Sequence, residues 1–121
     1  EVLMPIIDTS KYFTKSVSLT TTNDTDVYVV PNNYSAHAEH FFISNNHGSS
    51  DSYTFKYYNA DNNTTHTILD SHSLDGKSID SIFTTTKPFF LHAGDKLIVA
   101  ATNANRLVAT VSVEEYYDPN R

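Results

Sequence analysis

Short stretches in which apolar and polar residues alternate recur along the whole chain, and turn-forming residues separate them about every 8 to 12 positions. A period of two places successive side chains on opposite faces of a strand, and no segment of about ten residues or more keeps the period of a helix. Evenly spaced short strands are typical of antiparallel sandwiches and barrels. The sequence therefore predicts an all-β fold: a single antiparallel, jelly-roll-like β-sandwich of about eight or nine strands.

The composition favours the same fold. Ser, Thr and Asn contribute 13, 15 and 11 of the 121 residues, while Gln and Trp are absent, so strand and turn formers outnumber good helix formers. The three glycines, Gly48, Gly76 and Gly94, all fall in predicted turns. A hydrophobic fraction of 39%, with 12% aromatic residues, predicts a packed core and argues against a disordered chain.

Nine segments carry the strand pattern: residues 13–19, 25–30, 35–44, 52–58, 64–69, 78–84, 89–91, 96–101 and 106–116. Two hairpins are predicted, one between the third and fourth segments and one between the last two. Residues 70–76 are predicted to be irregular. In the last segment Leu107, Ala109, Val111 and Val113 share one face, whereas both faces of residues 35–44 are mixed, so their burial is not assigned.

The predicted sandwich spans residues 13–117, with residues 118–121 as a tail. Residues 1–12 are either an extended N-terminal arm or the first strand. An apolar run near a terminus seldom stays exposed without a partner, so this region supplies the candidate interface residues. They are Val2, Leu3, Ile6, Ile7, Tyr12 and Phe13.

Charge and hydropathy exclude several classes of partner. Eight basic and 14 acidic residues give a net charge of −6, which disfavours nucleic acid, because binding to its phosphates depends on Lys and Arg. The absence of cysteine excludes disulfides. No apolar run approaches the roughly 20 residues of a membrane span, and the first residues lack a basic region, so we expect no membrane partner and no signal peptide.

Histidines and carboxylates raise the question of a metal site. His37 and Glu39 project from one face of a regular strand, whereas His40 points the other way, and Asp70 and His72 form a second short cluster. No spacing supplies the further ligands, so we predict neither a metal nor another cofactor.

Signals for catalysis are weaker still. The chain has no G-x-S-x-G motif, and Glu114 and Glu115, which are adjacent, point to opposite faces of a strand and cannot act as a pair. We therefore predict no catalytic residue.

The order of several motifs resembles that of small β-sandwich structural proteins from the virions of tailed bacteriophages, of the marine and cyanobacterial type. The motifs lie at residues 27–31 (VYVVP), 33–37 (NYSAH), 42–46 (FISNN), 57–61 (YYNAD), 90–97 (FLHAGDKL) and 111–116 (VSVEEY). They are strand and turn motifs without catalytic residues. The resemblance implies a non-enzymatic virion structural protein, which we expect to be assembled in the bacterial cytoplasm and not secreted. Our leading hypothesis is that it decorates or cements the capsid.

The position on the virion stays open, since related sandwiches also serve as neck or tail accessory proteins. The partners implied are the major capsid protein or other virion proteins, together with further copies of the chain, a trimer being the first expectation. The alternative is a carbohydrate-binding module on a receptor-recognition appendage. In that case Tyr34 and Tyr58 are the candidate glycan contacts, because tyrosine rings stack on sugars.

Overall fold

Nine β-strands form two antiparallel sheets that pack face to face in the computed structural model, which describes residues 10–119. The strands are β1 (Ser10–Ser18), β2 (Thr25–Val29), β3 (Tyr34–Asn45), β4 (Asp51–Asn59), β5 (Thr64–Leu74), β6 (Ser78–Phe83), β7 (Phe89–Leu91), β8 (Lys96–Ala101) and β9 (Leu107–Tyr117). Within these described residues, no helix is long and apolar enough to cross a membrane.

The strand order is that of a jelly roll. One sheet has the order β1-β9-β3-β6, with β7 also pairing with β3, and the other has the order β2-β8-β4-β5. The first strand thus pairs with the last, β2 with β8, β3 with β6 and β4 with β5, as in one long hairpin rolled up into two sheets. The predicted all-β, jelly-roll-like sandwich is confirmed.

Both predicted hairpins are wrong. Strands β3 and β4 lie in different sheets, and so do β8 and β9. A short turn between two apolar strands is equally compatible with a hairpin and with an arch that crosses from one sheet to the other. In this chain β4 and β5 form a hairpin, through residues 60–63.

Residues 70–76 were predicted to be irregular, and this prediction is wrong for most of them, because β5 continues to Leu74. The register with β4 shifts here: Leu69 pairs with Phe55 and His72 with Tyr53, so the segment between them carries an extra residue. Ser71 has a φ of 50°, a left-handed conformation that accompanies the bulge. The bulge hides the alternation that would mark a long strand.

A second bulge explains the mixed faces of β3. Ala38 pairs with Val113 and His40 with Ser112, so Glu39 is the extra residue. Even-numbered residues up to Ala38 point into the core, and odd-numbered residues point inward from Phe41 onward. The bulge therefore reverses the alternation and keeps apolar side chains inside along the whole strand.

The core lies between the sheets and is rich in aromatic rings. Tyr53, Phe41 and Phe55 are the largest fully buried side chains, and the rings of the two phenylalanines meet edge to face at 5.2 Å. The four apolar residues that were predicted to share one face of the last strand are all buried in this core.

Candidate functional site

The outer face of the five-stranded sheet, turned away from the four-stranded sheet, carries a row of four side chains at equal height. The register pairs Tyr12 of β1 with Glu114 of β9, Glu114 with His37 of β3, and His37 with Phe90 of β7. We call Tyr12, Glu114, His37 and Phe90 the outer-face row. Directly opposed side chains in a sheet contact each other, so this row is one continuous surface.

This face holds the most exposed large apolar side chains among residues 10–119. Tyr12 is 70% exposed and Phe90 is 61% exposed, at the two ends of the outer-face row. Ile79, also 61% exposed, pairs with Ser44 at the far end of the same face. Single exposed apolar residues are ordinary, but a set that shares one face marks a surface that can bury them against a partner.

Between Tyr12 and Ile79 the face carries polar side chains that are hydrogen-bonded across the strands. The hydroxyls of Thr14 and Ser112 lie 2.8 Å apart, and those of Ser16 and Thr110 lie 2.9 Å apart, so cross-strand hydrogen bonds tie β1 to β9. Thr14 and Ser112 also line an open pocket of about 230 Å³. Its lining includes Tyr12, Phe13, Thr14, Glu39, His40, Ser112 and Val113.

His37 is held in the middle of the row by two rings. Its imidazole meets Phe90 edge to face at 4.5 Å and Tyr116 at 5.4 Å between ring centroids. Its Nδ1 lies 3.7 Å from Oε1 of Glu114, and its Nε2 lies 3.5 Å from the hydroxyl oxygen of Tyr116. The imidazole thus has a polar group near each nitrogen and two aromatic rings beside it, which restrict its rotation.

Glu39, the extra residue of the bulge in β3, also lies near His37 and Glu114. His37, Glu39 and Glu114 each offer one ligand atom within 4.8 Å of the others, and all three residues are half-buried. The sequence pairs His37 with Glu39 but does not connect them to Glu114, because 75 positions separate Glu39 from Glu114 and only the β3–β9 register joins them. The mixed faces of residues 35–44 are the signal in the sequence for the bulge.

The second short cluster, Asp70 and His72, lies on β5 in the four-stranded sheet. Nε2 of His72 lies 3.1 Å from Oδ2 of Asp80. Oδ2 of Asp80 also accepts a hydrogen bond of 2.9 Å from the hydroxyl of Tyr53. This cluster connects the edges of the two sheets and is separate from the outer-face row.

The candidate interface residues divide into three groups. Tyr12 points outward, whereas Phe13 is half-buried and its ring lies 6.3 Å from that of Tyr28, on the core side. Because β1 begins at Ser10, both residues belong to the first strand. The remaining candidates lie outside the described residues: Val2, Leu3, Ile6 and Ile7.

The two candidate glycan contacts belong to different sheets. Tyr34 begins β3 in the five-stranded sheet, where its ring meets that of Tyr117 edge to face at 5.6 Å. Tyr58 belongs to β4 in the four-stranded sheet, and its hydroxyl donates a hydrogen bond of 2.6 Å to Asn63. Lys96 places its ammonium 5.4 Å from the centre of the Tyr58 ring.

Comparisons with known proteins establish the fold. No protein-family model matches the chain, and no curated protein does. Among solved structures, a pilus protein of Bacillus endospore appendages, described as a novel family of disulfide-linked pili, matches with a TM-score of 0.53 at 12% identity, over 90% of this chain and 87% of that chain. The virus-like particle of the extra small virus of the giant freshwater prawn, Macrobrachium rosenbergii, matches with a TM-score of 0.51 at 11% identity, over 95% of this chain and 83% of that one.

At these identities the similarity concerns the fold alone. The chain has a jelly-roll β-sandwich fold that is shared with a viral capsid protein and with a spore appendage pilus protein. The 121 residues contain no cysteine, so the disulfide linkage of the appendage pili has no counterpart in them.

Proposed function

We propose that this chain is a non-enzymatic structural protein of a bacteriophage virion and that it decorates the assembled capsid as a cement protein. The observation that carries the proposal is the outer face of the five-stranded sheet, on which Tyr12, Phe90 and Ile79 are all exposed. The motif order described above supplies the bacteriophage context, and the fold is one that capsid and pilus subunits use.

The proposed mechanism is mechanical. Burying a fully exposed apolar side chain contributes about 1.5–3 kcal/mol, so burial of Tyr12, Phe90 and Ile79 against a capsid surface contributes to binding. If that surface exists only on the assembled shell, binding stabilises the shell relative to its free subunits by mass action. Repetition of a small binding free energy at every equivalent site then reinforces the whole particle.

Self-association is part of the proposal. The appendages and the virus-like particle are assemblies of many subunits. In this chain β1, an edge strand of the five-stranded sheet, follows directly after residues 1–9, which contain four of the candidate interface residues. Strand addition along an edge is a general way to join subunits. Lys11 and Lys15 on β1 disfavour indiscriminate pairing along that edge, which restricts the partners to acidic or well-matched strands.

The test uses expanded capsids of the source phage that lack this protein. The purified chain is mixed with them, and co-pelleting and the melting temperature of the capsid are measured across a concentration series. Saturable co-pelleting with a raised melting temperature supports the cement role. An absence of binding contradicts it and directs the search to neck and tail assemblies and to glycan arrays.

A further inference from the structure

We propose that His37, Glu39 and Glu114 form a binding site for a divalent transition metal ion, with Zn²⁺ as the best-fitting ion, on the outer face of the five-stranded sheet. The inference depends only on the fold of the single chain and is independent of any role in a virion.

The distances suit a small ion. His37 and Glu114 are directly opposed in the β3–β9 register, with Nδ1 and Oε1 3.7 Å apart, and Glu39 completes a set in which all ligand atoms lie within 4.8 Å. A tetrahedral zinc ion bound at about 2.0–2.2 Å holds its ligand atoms about 3.3 Å apart. Closing the remaining distance requires rotations of the Glu39 and Glu114 side chains.

The donor set and its charge favour a cation of this class. One imidazole nitrogen and two carboxylate oxygens are ordinary zinc donors, and three protein ligands leave a fourth position for water. Within residues 10–119, neither Glu39 nor Glu114 forms an ion pair with a lysine or arginine. Two nearby carboxylates on a chain of net charge −6 repel each other, and a divalent ion removes that repulsion.

The groups around His37 orient its imidazole before an ion binds. Phe90 and Tyr116 pack edge to face against the imidazole, and the hydroxyl oxygen of Tyr116 lies 3.5 Å from Nε2, the nitrogen that would not bind the ion. A polar partner at the second nitrogen fixes the tautomer and the orientation of a metal-binding histidine. A ligand fixed in advance loses little side-chain entropy when the ion binds.

Calorimetric titration of the full chain with ZnCl₂ tests the proposal. We expect one saturable site per chain, with affinity at least tenfold weaker in His37→Ala and in Glu114→Gln. The matched control is His66→Ala, which removes an exposed histidine from β5 in the other sheet and is expected to stay within twofold of the wild type. CaCl₂, an ion that prefers six to eight oxygen ligands, is expected to give no saturable heat.

A second measurement does not depend on how the variants fold. In the wild-type chain, Zn²⁺ is expected to shift the imidazole NMR signals of His37 and to leave those of His66 unchanged. Absence of saturable zinc binding, binding by His37→Ala as tight as in the wild type, or shifts confined to other histidines would each overturn the proposal and leave His37 and Glu114 as an ordinary cross-strand pair.

Discussion

The hydroxyl of Tyr28, on β2, donates a hydrogen bond of 2.5 Å to Oε2 of Glu115, on β9, and so joins the two sheets through the buried core. Both residues are almost completely buried, and Lys11 approaches the other carboxylate oxygen of Glu115 at 3.5 Å. A buried charge requires such partners, because its removal from water is costly.

This contact predicts a loss of stability in alkaline solution. Burial and then the nearby carboxylate of Glu115 raise the pKa of Tyr28 far above its ordinary value of 10; burial and Asp80 act likewise on Tyr53, and burial and Asp95 raise the pKa of Tyr57 to about 12. The unfolded chain therefore loses these protons first as the pH rises through 10. Their contribution to stability is complete below that pH and is lost above it, at about 4 kcal/mol per pH unit for the three tyrosines.

Urea unfolding of the wild type and of Tyr28→Phe between pH 9 and pH 11.5 measures this dependence. In Tyr28→Phe the slope of the unfolding free energy against pH is expected to be smaller than in the wild type by about 1.4 kcal/mol per pH unit. Tyr57→Phe is expected to reduce the slope by a similar amount below about pH 12. At pH 7, Tyr28→Phe is expected to cost about 1–3 kcal/mol, because it removes a hydrogen bond from a buried carboxylate. An unchanged alkaline slope in Tyr28→Phe would contradict this account.

Asp95 is expected to be the most sensitive polar residue of the core. Its buried carboxylate accepts hydrogen bonds of 2.9 Å from the backbone N–H groups of Ala60 and His92 and from the hydroxyl of Tyr57. Asp95→Ala leaves all three donors without this acceptor and is expected to cost about 3 kcal/mol or more in urea unfolding. Asp26→Ala, which removes an exposed ion pair, is the control and should stay within about 1 kcal/mol.

Gly94 is the glycine whose substitution is expected to cost most through backbone strain. Its φ is +86°, and a Cβ at this position would lie 2.9 Å from the Cβ of Ala60. Gly94→Ala is expected to lower the free energy of unfolding by about 1–3 kcal/mol. Gly48→Ala, where a Cβ meets no atom within 4 Å, should change stability little, so equal effects of the two substitutions would refute the explanation.

At the bulge, we expect the presence of a residue at position 39 to matter for stability and the Glu39 side chain to matter little. Glu39→Ala keeps the register and is expected to change stability by no more than about 1 kcal/mol. Deletion of Glu39 turns either Ala36 and Ala38 or Phe41 and Ile43 away from the core, and should cost more than about 4 kcal/mol or prevent folding. Near-UV circular dichroism and urea unfolding compare the two variants, and a stable deletion variant would show that the bulge is dispensable.

The local pattern was sufficient wherever a strand kept its alternation. It correctly predicted that Leu107, Ala109, Val111 and Val113 share one face of the last strand, and this face is buried. It failed at the bulges near Glu39 and Ser71, because one extra residue reverses the alternation that the prediction reads.

Other features depend on contacts that are distant in the chain. A turn such as residues 46–50 is compatible with pairing in one sheet or with crossing to the other, and only packing of the whole sandwich selects the second. For the same reason the sequence connects His37 with Glu39 but not with Glu114, and it does not place Tyr12 in one row with Phe90. Glu114 and Phe90 belong to strands that are distant from β3 in the sequence. Only the pairing of β9 and β7 with β3 brings them into the same row.

The most direct test of the central claim is the melting temperature of capsids mixed with outer-face variants. Tyr12→Ser combined with Phe90→Ser is expected to weaken capsid binding at least about 30-fold, which corresponds to roughly 2 kcal/mol of lost apolar burial, and to abolish the rise in melting temperature at a concentration that saturates the wild type. Ile68→Ser, at an exposed apolar residue of the other sheet, is expected to raise the melting temperature as the wild type does. A double variant that folds and still stabilises the capsid as the wild type does would contradict the assignment of this face.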